Sequence, residues 1–467
     1  MTLSPPESGV HDPARLLRSL GALPAGALAL PADEAYRAVT SLSPSGPCEP
    51  CAVVTPATAA DVAAVVRAAG ASGLRVAVRR TGHGAVPVAG DTVLVSTALL
   101  DECAVDVERR SARIGAGTTW QQVLDAATPH DLAPVCGAAP GIGVVGYLTG
   151  GGIGPLARTH GVSSDYVRAL EVVTGDGQLR RATPTEHPDL FWGLRGGKAT
   201  LGIVTAVEVD LVPLASVYGG CLWFDGADAP AILRAWRRLC EDLPEEGTTS
   251  LALMHLPPLP HVPAPLAGRR TVAVRFAWTG APTDADRLLA DLRAAAPPVA
   301  GDVTVLPYAA IGSIHADPVE LLPTREHTLL LSSFPQEAAD ALLSAVGADS
   351  PQTMVELRQL GGAVARAPRH PSAVSHRDAA VNVFTVGMPS SGDPAAVDRH
   401  AERVLDALTP FAYGGTLANF SADDSPAVVA RSFSPAALRR LTALGDRYDP
   451  HGVLRTGQVA RSPLAGS

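Results

Sequence analysis

The sequence of 467 residues has few aromatic residues, few charges and no long apolar run. Each of these shortages excludes some classes of protein. Aromatic residues make up 4% and charged residues 18% of the chain, whereas 46% of the residues are hydrophobic. A disordered chain has the opposite balance, so we expect a globular protein. No apolar run reaches the length that spans a bilayer, so no membrane partner is expected. The length allows two or three domains.

Basic blocks are missing as well. The formal net charge is −9, and no cluster of lysine or arginine offers a footprint for phosphate groups, which argues against a nucleic-acid partner. The first residues, MTLSPPESGVHDPARLL, contain acids and prolines where a signal peptide has a basic start and an unbroken apolar stretch. The later run LGALPAGALALPA is interrupted by prolines, and we interpret it as a linker or a short helix. We expect a cytoplasmic protein.

Cysteine is scarce too, because six cysteines over this length do not make a disulfide framework. Cys48 and Cys51 form a C-x-x-C pair, which alone is a weak signal for redox chemistry or zinc. No second pair follows at ligand spacing, so chance or local packing is favoured and no metal is expected. The motifs of zinc peptidases, serine hydrolases and P-loop nucleotidases do not occur in the sequence, which leaves those chemistries without support.

The periodicity of apolar residues indicates two regions. The first mixes helices and strands, and in the second longer helices alternate with apolar strands. Thr58 is a plausible N-cap for the helix TAADVAAVVRAAGASG, and the residues Gly175-Asp176-Gly177 are typical of a hairpin turn. Further patterns in the first region are the strands LRVAVRR, DTVLVS, RSARIGAG and GIVTAVEVDLVP and the helix TTWQQVLDAAT, capped by Thr118 or Thr119. From about Val217, helices such as APAILRAWRRLCEDL alternate with apolar strands such as RTVAVRFAW. The whole predicts an α+β fold with an antiparallel sheet backed by helices.

The stretch APGIGVVGYLTGGGIGPLARTHG is rich in glycine. It contains Gly141-x-Gly143-x-x-Gly146, formally a dinucleotide fingerprint, but that fingerprint needs a strand before it and an unbroken helix after it. Pro140 precedes it, and the glycines at 150–152 would break the helix, so a Rossmann site is disfavoured. The alternatives are a tight turn packed among strands and a backbone that lies flat against a long polyanionic ligand, of which we favour the second.

Four motifs follow one another in a recognisable order and spacing: RRTGHGAVPVAGD, APGIGVVGYLTGGGIGPLARTHGVSSDYVRALEVVTGDG, HPDLFWGLRGGKATLGIVTAVEVDL and DRYDPHGVLRTGQ. Together they resemble the FAD-linked oxidases of the vanillyl-alcohol oxidase superfamily, and most closely its berberine-bridge-enzyme-like branch. The resemblance implies a two-lobe PCMH-type FAD-binding domain and a substrate domain with an antiparallel sheet. It places the first part of the FAD-binding domain at residues 1–213, the substrate-binding domain at 214–412, and a segment that returns to the FAD domain at 413–467.

The resemblance implies FAD as the cofactor and gives His83 a role. His83 occupies the position of the histidine that bonds covalently to the 8-methyl group of the flavin, and the alternative is a solvated loop histidine. The other implied cofactor contacts are Arg80, Gly82, Gly84, Ala139, Gly141, Ile142, Gly143, Gly146, Gly150, Gly151, Gly152, Gly154, Ile203, Val204 and Asn419.

The chain departs from the family pattern at two positions. Many members have a cysteine as a second tether where this chain has Ala139, and Cys136 is three residues out of register, so a single covalent bond through His83 is implied. Many members also use a tyrosine as the base in a Y-x-N motif. This chain has Leu417 there, keeps Asn419, and has Tyr413 four residues out of register.

The missing tyrosine directs attention to another base. Glu356, in MVELRQLGGAVAR, falls on a predicted strand of the substrate lobe, and a carboxylate in an apolar pocket has a raised pKa that suits a general base. The alternative is a glutamate paired with Arg358 on a sheet surface. His255, His315 and His376 are interpreted as surface or loop residues.

The function that these features predict is a flavoprotein oxidase. It takes a hydride from a small organic substrate, returns the electrons to O2, and acts in secondary metabolism as a monomer or homodimer. A second hypothesis is a flavin-dependent oxygenase or cyclase acting on a polyketide-like or alkaloid-like intermediate. A third, from another class, is a non-catalytic carrier of flavin or ligand.

Overall fold

The computed structural model describes Leu16 and residues 27–41, 43–44, 46–260, 262–318, 320–388 and 393–461. Apart from Leu16, the opening segment MTLSPPESGVHDPARLL lies outside the described residues. Only the end of the run LGALPAGALALPA is described, and it forms the short strand Leu28–Ala29 where we expected a linker or a short helix.

The first sheet has a parallel core. Its strands, in spatial order, are Leu28–Ala29, Ala52–Val54, Thr92–Ser96 and Arg75–Arg79, of which the last three are parallel. The helix Ala59–Ala71 makes the crossover that two parallel strands need. It begins at Thr58 as predicted, because the Thr58 hydroxyl accepts from the Asp61 N–H while the Asp61 carboxylate accepts from the Thr58 N–H.

The second sheet is antiparallel throughout. Its five strands, in spatial order, are Cys103–Asp106, Ser111–Gly115, Ile203–Asp210, Val167–Val173 and Leu179–Ala182. The predicted hairpin joins the last two strands, and the Asp176 carboxylate accepts from the Gln178 N–H within its turn. The helix Trp120–Ala127 begins at Thr119 and packs its buried face into the same core. A two-stranded ribbon pairs Leu132–Ala133 with Val212–Pro213.

A large antiparallel sheet forms the second half of the fold. Its seven strands, in spatial order, are Val303–Pro307, Ser216–Asp225, Arg270–Trp278, Gly247–His255, Gln352–Gln359, Val381–Gly387 and Arg325–Leu331. Four helices share an apolar core with it: Ala229–Asp242, Pro282–Ala295, Gln336–Val346 and Pro394–Leu408. This is the sheet backed by helices that the sequence predicts.

The last part of the described chain packs against the first sheet. Val453 and Leu454 enter the core under the helix Ala59–Ala71, and the Val76 N–H donates to the Val453 carbonyl over 2.7 Å. The remaining helices are Glu34–Thr40, Val144–Thr149, Ala157–His160, Pro188–Leu194, Pro426–Arg431 and Pro435–Tyr448. Among the described helices, none combines the length and the apolar character that a membrane crossing requires.

The α+β fold class is confirmed by these sheets and helices. The argument against a Rossmann site is confirmed as well, because the helix Val144–Thr149 has six residues and ends at Gly150. The division of the chain at residues 213 and 412 stays a prediction.

Candidate active site

His83 lies in the loop between the strands Arg75–Arg79 and Thr92–Ser96. Gly82 and Gly84 beside it have φ angles of +84° and +62°, a backbone conformation that favours glycine. The His83 Nδ1 atom lies 3.2 Å from the Thr81 hydroxyl. Although the ring is accessible, its surroundings partly desolvate it and thereby lower the pKa of His83. The imidazole is therefore neutral at pH 7, the form in which a ring nitrogen can act as a nucleophile.

The glycine-rich segment, residues 141–154, lies beside the His83 loop. An added Cβ at Gly143 would lie 3.3 Å from the side chain of Arg80. Three of the glycines predicted to bind the cofactor face open space, because a Cβ there would meet no atom within 4 Å: Gly84, Gly141 and Gly146. The main chain is therefore accessible to a ligand both in the His83 loop and in the first half of the glycine-rich segment.

The second half of the segment is glycine because the protein itself packs against it. A Cβ at Gly150 would collide with Asn419, one at Gly152 would lie 2.5 Å from the Tyr147 ring, and one at Gly154 would collide with the Cys136 carbonyl. Gly151 also has a φ angle of +101° and lies against Val374. The packed-turn interpretation therefore applies to the second half, whereas contact of the first half with a ligand stays a prediction.

A buried hydroxyl beside this segment fits a polar cofactor. The Ser164 N–H donates to the Gly151 carbonyl over 2.9 Å, but the buried Ser164 Oγ makes no hydrogen bond within the described residues. An unsatisfied buried hydroxyl costs free energy, so a bound molecule is a plausible partner. The hydroxyl and the open backbone together fit a ligand with a long polar chain, such as FAD.

Lys198 is a candidate cofactor contact that the sequence analysis missed. Its ammonium donates to Asn419 Oδ1 over 2.6 Å, and Asn419 Nδ2 donates to the Tyr147 carbonyl. Burial lowers the pKa of Lys198 to about 8, and its φ angle of +54° is unusual for lysine. A cation therefore lies against Gly150 and the predicted contact Asn419. The available signal was a lysine directly after two glycines in GLRGGKATLGIV.

The remaining predicted cofactor contacts have partners within the protein. Arg80 Nε donates to the Gly117 carbonyl, and the Ile142 carbonyl accepts from the Trp120 N–H over 3.0 Å. Ile203 and Val204 begin the central strand of the second sheet and are buried. Their contact with FAD stays a prediction.

Ala139 is half-buried and precedes the open glycines. The nearby Cys136 cannot replace the missing second tether, because its thiol is enclosed and lies 3.6 Å from the Tyr308 hydroxyl. Burial raises the pKa of the Cys136 thiol to about 11, and a protonated thiol is a poor nucleophile. The geometry thus supports the prediction of a single tether.

We expect Ala139→Cys to add a thioether link to FAD, because the resemblance places this position at a second tether. The most sensitive background is His83→Ala, in which Ala139→Cys should restore flavin that stays with the denatured chain. Ala138→Cys, one residue earlier and buried, is the matched control and should restore none. Mass and absorbance spectra identical to those of His83→Ala alone would contradict the alignment of this loop.

Neither residue near the expected tyrosine base supplies a proton acceptor. Leu417 packs in an apolar cluster that includes Phe420. The Tyr413 hydroxyl donates to Asp378 over 2.5 Å, and this hydrogen bond raises the pKa of Tyr413.

Glu356 lies on the strand Gln352–Gln359 and is 1% exposed. Its carboxylate accepts hydrogen bonds from Ser250 over 2.9 Å and from Arg275 and Arg358 over 3.0 Å each. The expected rise of its pKa is wrong: burial acts to raise the pKa of Glu356, but Arg358 and Arg275 outweigh it and lower the value. The alternative pairing with Arg358 is confirmed, although the pair is buried rather than at a sheet surface. The proton-acceptor role of Glu356 stays a prediction.

His315 lies in a turn directly after the short helix Tyr308–Ile314, as the loop alternative predicted, but it is buried rather than at the surface, with 8% of the residue exposed. Its Nε2 atom lies 3.3 Å from Arg358 Nη2. Burial and the guanidinium groups of Arg275 and Arg358 lower the pKa of His315 well below its usual value. By contrast, His255 is exposed at the end of a strand, and His376 lies in a loop 3.0 Å from the Arg431 carbonyl.

Arg275, His315 and Arg358 line a cavity whose wall also includes Gly154. Arg358 Nη1 donates to the Ile153 carbonyl over 3.2 Å, which joins the large sheet to the glycine-rich segment. Asp317 interacts electrostatically with both Arg275 and His83. The cavity therefore lies between the glycine-rich segment and the large sheet, within electrostatic range of the predicted tether.

The C-x-x-C pair makes separate local contacts. Cys48 and Cys51 are free thiols; Cys48 Sγ accepts from Arg79 and Cys51 Sγ donates to the Thr92 carbonyl. These contacts fit the favoured packing role. Across the described ranges, no three side chains of the metal-binding types come together as a possible metal site.

Comparison with known proteins identifies an FAD-binding domain and related flavoproteins. Residues 50–183 match a family model described as FAD binding domain. (R)-6-hydroxynicotine oxidase of Paenarthrobacter nicotinovorans is 27% identical over 403 residues, covering 82% of this chain and 85% of its own. The FAD-dependent monooxygenase macF of Penicillium terrestre is 33% identical over 168 residues, covering 35% of this chain. The match spans only 32% of macF. The solved structure of Physcomitrella patens BBE-like 1 has a TM-score of 0.80 at 20% identity, covering 94% of this chain and 97% of its own.

Fold, site and comparisons define the class as an FAD-binding protein, whose FAD-binding domain includes residues 50–183. Within that class, the chain shares its fold with Physcomitrella patens BBE-like 1 over 94% of its length. The resemblance carried by the four motifs is thereby confirmed.

Proposed function

We propose that the protein is an FAD-dependent oxidase that holds its flavin through one covalent bond to His83 and oxidises a small organic substrate with O2 as the electron acceptor. The observation that carries the proposal is that the predicted tether and the cavity both lie against the glycine-rich segment. The His83 loop meets the glycine-rich segment at Gly143, and the cavity lies beside the same segment at Gly154. A cofactor along the glycine-rich segment would thus lie next to a substrate in the cavity.

When bound, FAD accepts a hydride from the substrate and passes the electrons to O2. The chain supplies binding and orientation. The neutral His83 ring provides the nucleophile for attachment, and Lys198 with Asn419 places a cation against the glycine-rich segment. Arg275 and Arg358 orient the substrate, and Glu356 fixes both guanidinium groups.

The resemblance supports the wider setting of this proposal. It favours a role in secondary metabolism, and we further propose a cytoplasmic location and a monomer or homodimer. The proposed domain limits are those of the sequence analysis: 1–213, 214–412 and 413–467.

A flavin-dependent oxygenase or cyclase acting on a polyketide-like or alkaloid-like intermediate is the second candidate. Two observations favour it: Leu417 occupies the position of the usual base, and macF is an FAD-dependent monooxygenase. A non-catalytic carrier of flavin or ligand is the third candidate.

Anaerobic titration of the yellow protein with a panel of metabolites tests the proposal. An oxidase should bleach with at least one compound and regain its colour in air, with formation of hydrogen peroxide. A product that is heavier by one oxygen atom would favour the oxygenase instead. Binding shifts in the flavin spectrum without bleaching by any compound would contradict both activities and favour the carrier.

A further inference from the structure

Three buried side chains around the cavity carry hydrogen-bonding nitrogens that have no partner within the described residues. They are Nε of Arg275, Nε of Arg358 and Nδ1 of His315. The side chains are 3%, 8% and 8% exposed, respectively. Leaving a buried polar group unsatisfied costs about 1–3 kcal/mol, and more if the group is charged. Three such nitrogens around one cavity point to a ligand that satisfies them.

The contacts of His315 determine which of its nitrogens carries the proton. Arginine can only donate hydrogen bonds, so the contact of 3.3 Å from Arg358 Nη2 makes His315 Nε2 an acceptor. The proton of the neutral ring is then on Nδ1, the atom without a partner. All three unsatisfied nitrogens are therefore donors, and the missing ligand must supply acceptors.

Positive charge exceeds negative charge among the hydrogen-bonded groups at the cavity. Arg275 and Arg358 share the single carboxylate of Glu356. The other nearby carboxyl group, Asp317, is exposed to solvent. Within the described part of the chain, Asp317 accepts no hydrogen bond from either arginine. The two guanidinium groups thus share one hydrogen-bonded carboxylate, and each keeps an Nε donor for an acceptor from outside the protein.

We infer that the cavity selects a small substrate that carries a carboxylate, which is held by Arg275, Arg358 and the Nδ1–H of His315. The inference rests on the proposed function, since it names the substrate class of the same site. A carboxylate offers two oxygens and several lone pairs, and charge-assisted hydrogen bonds from arginine are about twice as strong as neutral ones. An uncharged analogue would leave the donors unsatisfied, so the site should reject it.

Benzoate and benzamide provide the test, because they have nearly the same shape and differ in charge. Each is titrated into the holoprotein, with flavin absorbance and the melting temperature as readouts. We expect benzoate to bind at least about tenfold more tightly than benzamide, the ratio that one charge-assisted hydrogen bond supplies. His315→Gln and Arg275→Lys should each reduce that ratio severalfold, and the second variant keeps the charge that Glu356 needs.

Arg293→Gln is the matched control, because Arg293 forms an ion pair with Asp286 at the surface of the same lobe. It should leave the benzoate preference unchanged. Equal affinities for the two compounds, or a preference for benzamide, in the wild-type protein would overturn the inference. So would an unchanged ratio in both cavity variants.

The outcomes separate this inference from the proposed function. Reversible bleaching by an uncharged metabolite without any preference for benzoate would overturn the carboxylate site and leave the oxidase. A clear preference for benzoate in a protein that no metabolite bleaches would support the carboxylate site and contradict the oxidase.

Discussion

We expect protein with His83→Ala to release its flavin completely on denaturation, whereas the wild-type chain should keep the yellow colour in the acid precipitate. This all-or-none result is expected because His83 is the proposed point of attachment, and no thiol replaces it: Cys136 is enclosed and protonated. The resemblance also implies that the tether raises the redox potential of the flavin, so the variant should have a lower potential and oxidise substrate more slowly. Absorbance of the pellet and the supernatant measures the main effect.

Two matched variants show whether the effect is specific to the ring of His83. His255→Ala removes an exposed histidine from the large sheet and should leave the colour with the chain. Thr81→Val removes the hydroxyl beside Nδ1 but not the nucleophile, so it should also retain covalent flavin. Colour that stays bound to the denatured His83→Ala protein would contradict the attachment.

Glu356→Gln should lower the free energy of unfolding by about 3–5 kcal/mol, because two buried guanidinium groups lose the one carboxylate among the described residues to which both are hydrogen-bonded. The stability difference should depend on pH. The pKa of Glu356 in the folded protein lies below the ordinary 4.5, so the ionised carboxylate stabilises the fold above that pH. This contribution is lost as pH falls through the folded pKa, where the variant should approach the wild type. Urea unfolding at several pH values measures both effects.

Glu326→Gln is the control for this substitution. Glu326 lies on another strand of the large sheet, accepts from Thr324 and has no arginine partner in the described ranges. Its replacement should change the free energy of unfolding by less than about 1 kcal/mol.

Anaerobic flavin reduction in Glu356→Gln then tests the role of this residue as a proton acceptor. If Glu356 is the base, reduction should slow by about a hundredfold or more even where the variant is fully folded. If it only fixes Arg275 and Arg358, substrate affinity should fall while the pH dependence of the reduction rate stays unchanged. Near-wild-type stability combined with a near-wild-type rate would contradict both roles.

Local elements of the fold could be predicted because their signals are local. Thr58 and Asp61 cap a helix from neighbouring positions, and the hairpin after Val173 depends on three successive residues. The order of the large sheet could not be predicted in the same way. The strand Gln352–Gln359 pairs with Gly247–His255, more than ninety residues earlier, and nothing in either strand alone specifies the other.

The candidate site likewise has features that local motifs predict and features that depend on contacts between distant residues. His83 and the glycine-rich segment follow from motifs, since a tether and a close approach of the backbone need those residue types at those positions. The pKa of Glu356 depends on Arg275, 81 residues away, and the burial of His315 depends on how the large sheet meets the glycine-rich segment. Lys198 was missed because its burial against Asn419 joins positions 221 residues apart.

The mass of one peptide from the wild-type protein tests the central claim most directly. Trypsin cleaves after Arg80 and Arg109, so residues 81–109 form a peptide in which His83 is the only histidine. After acid denaturation and removal of free flavin, we predict that this peptide is yellow, heavier by one FAD, and fragments with the added mass on His83. An unmodified peptide with all the flavin in the supernatant, or flavin attached to a different peptide, would contradict the claim.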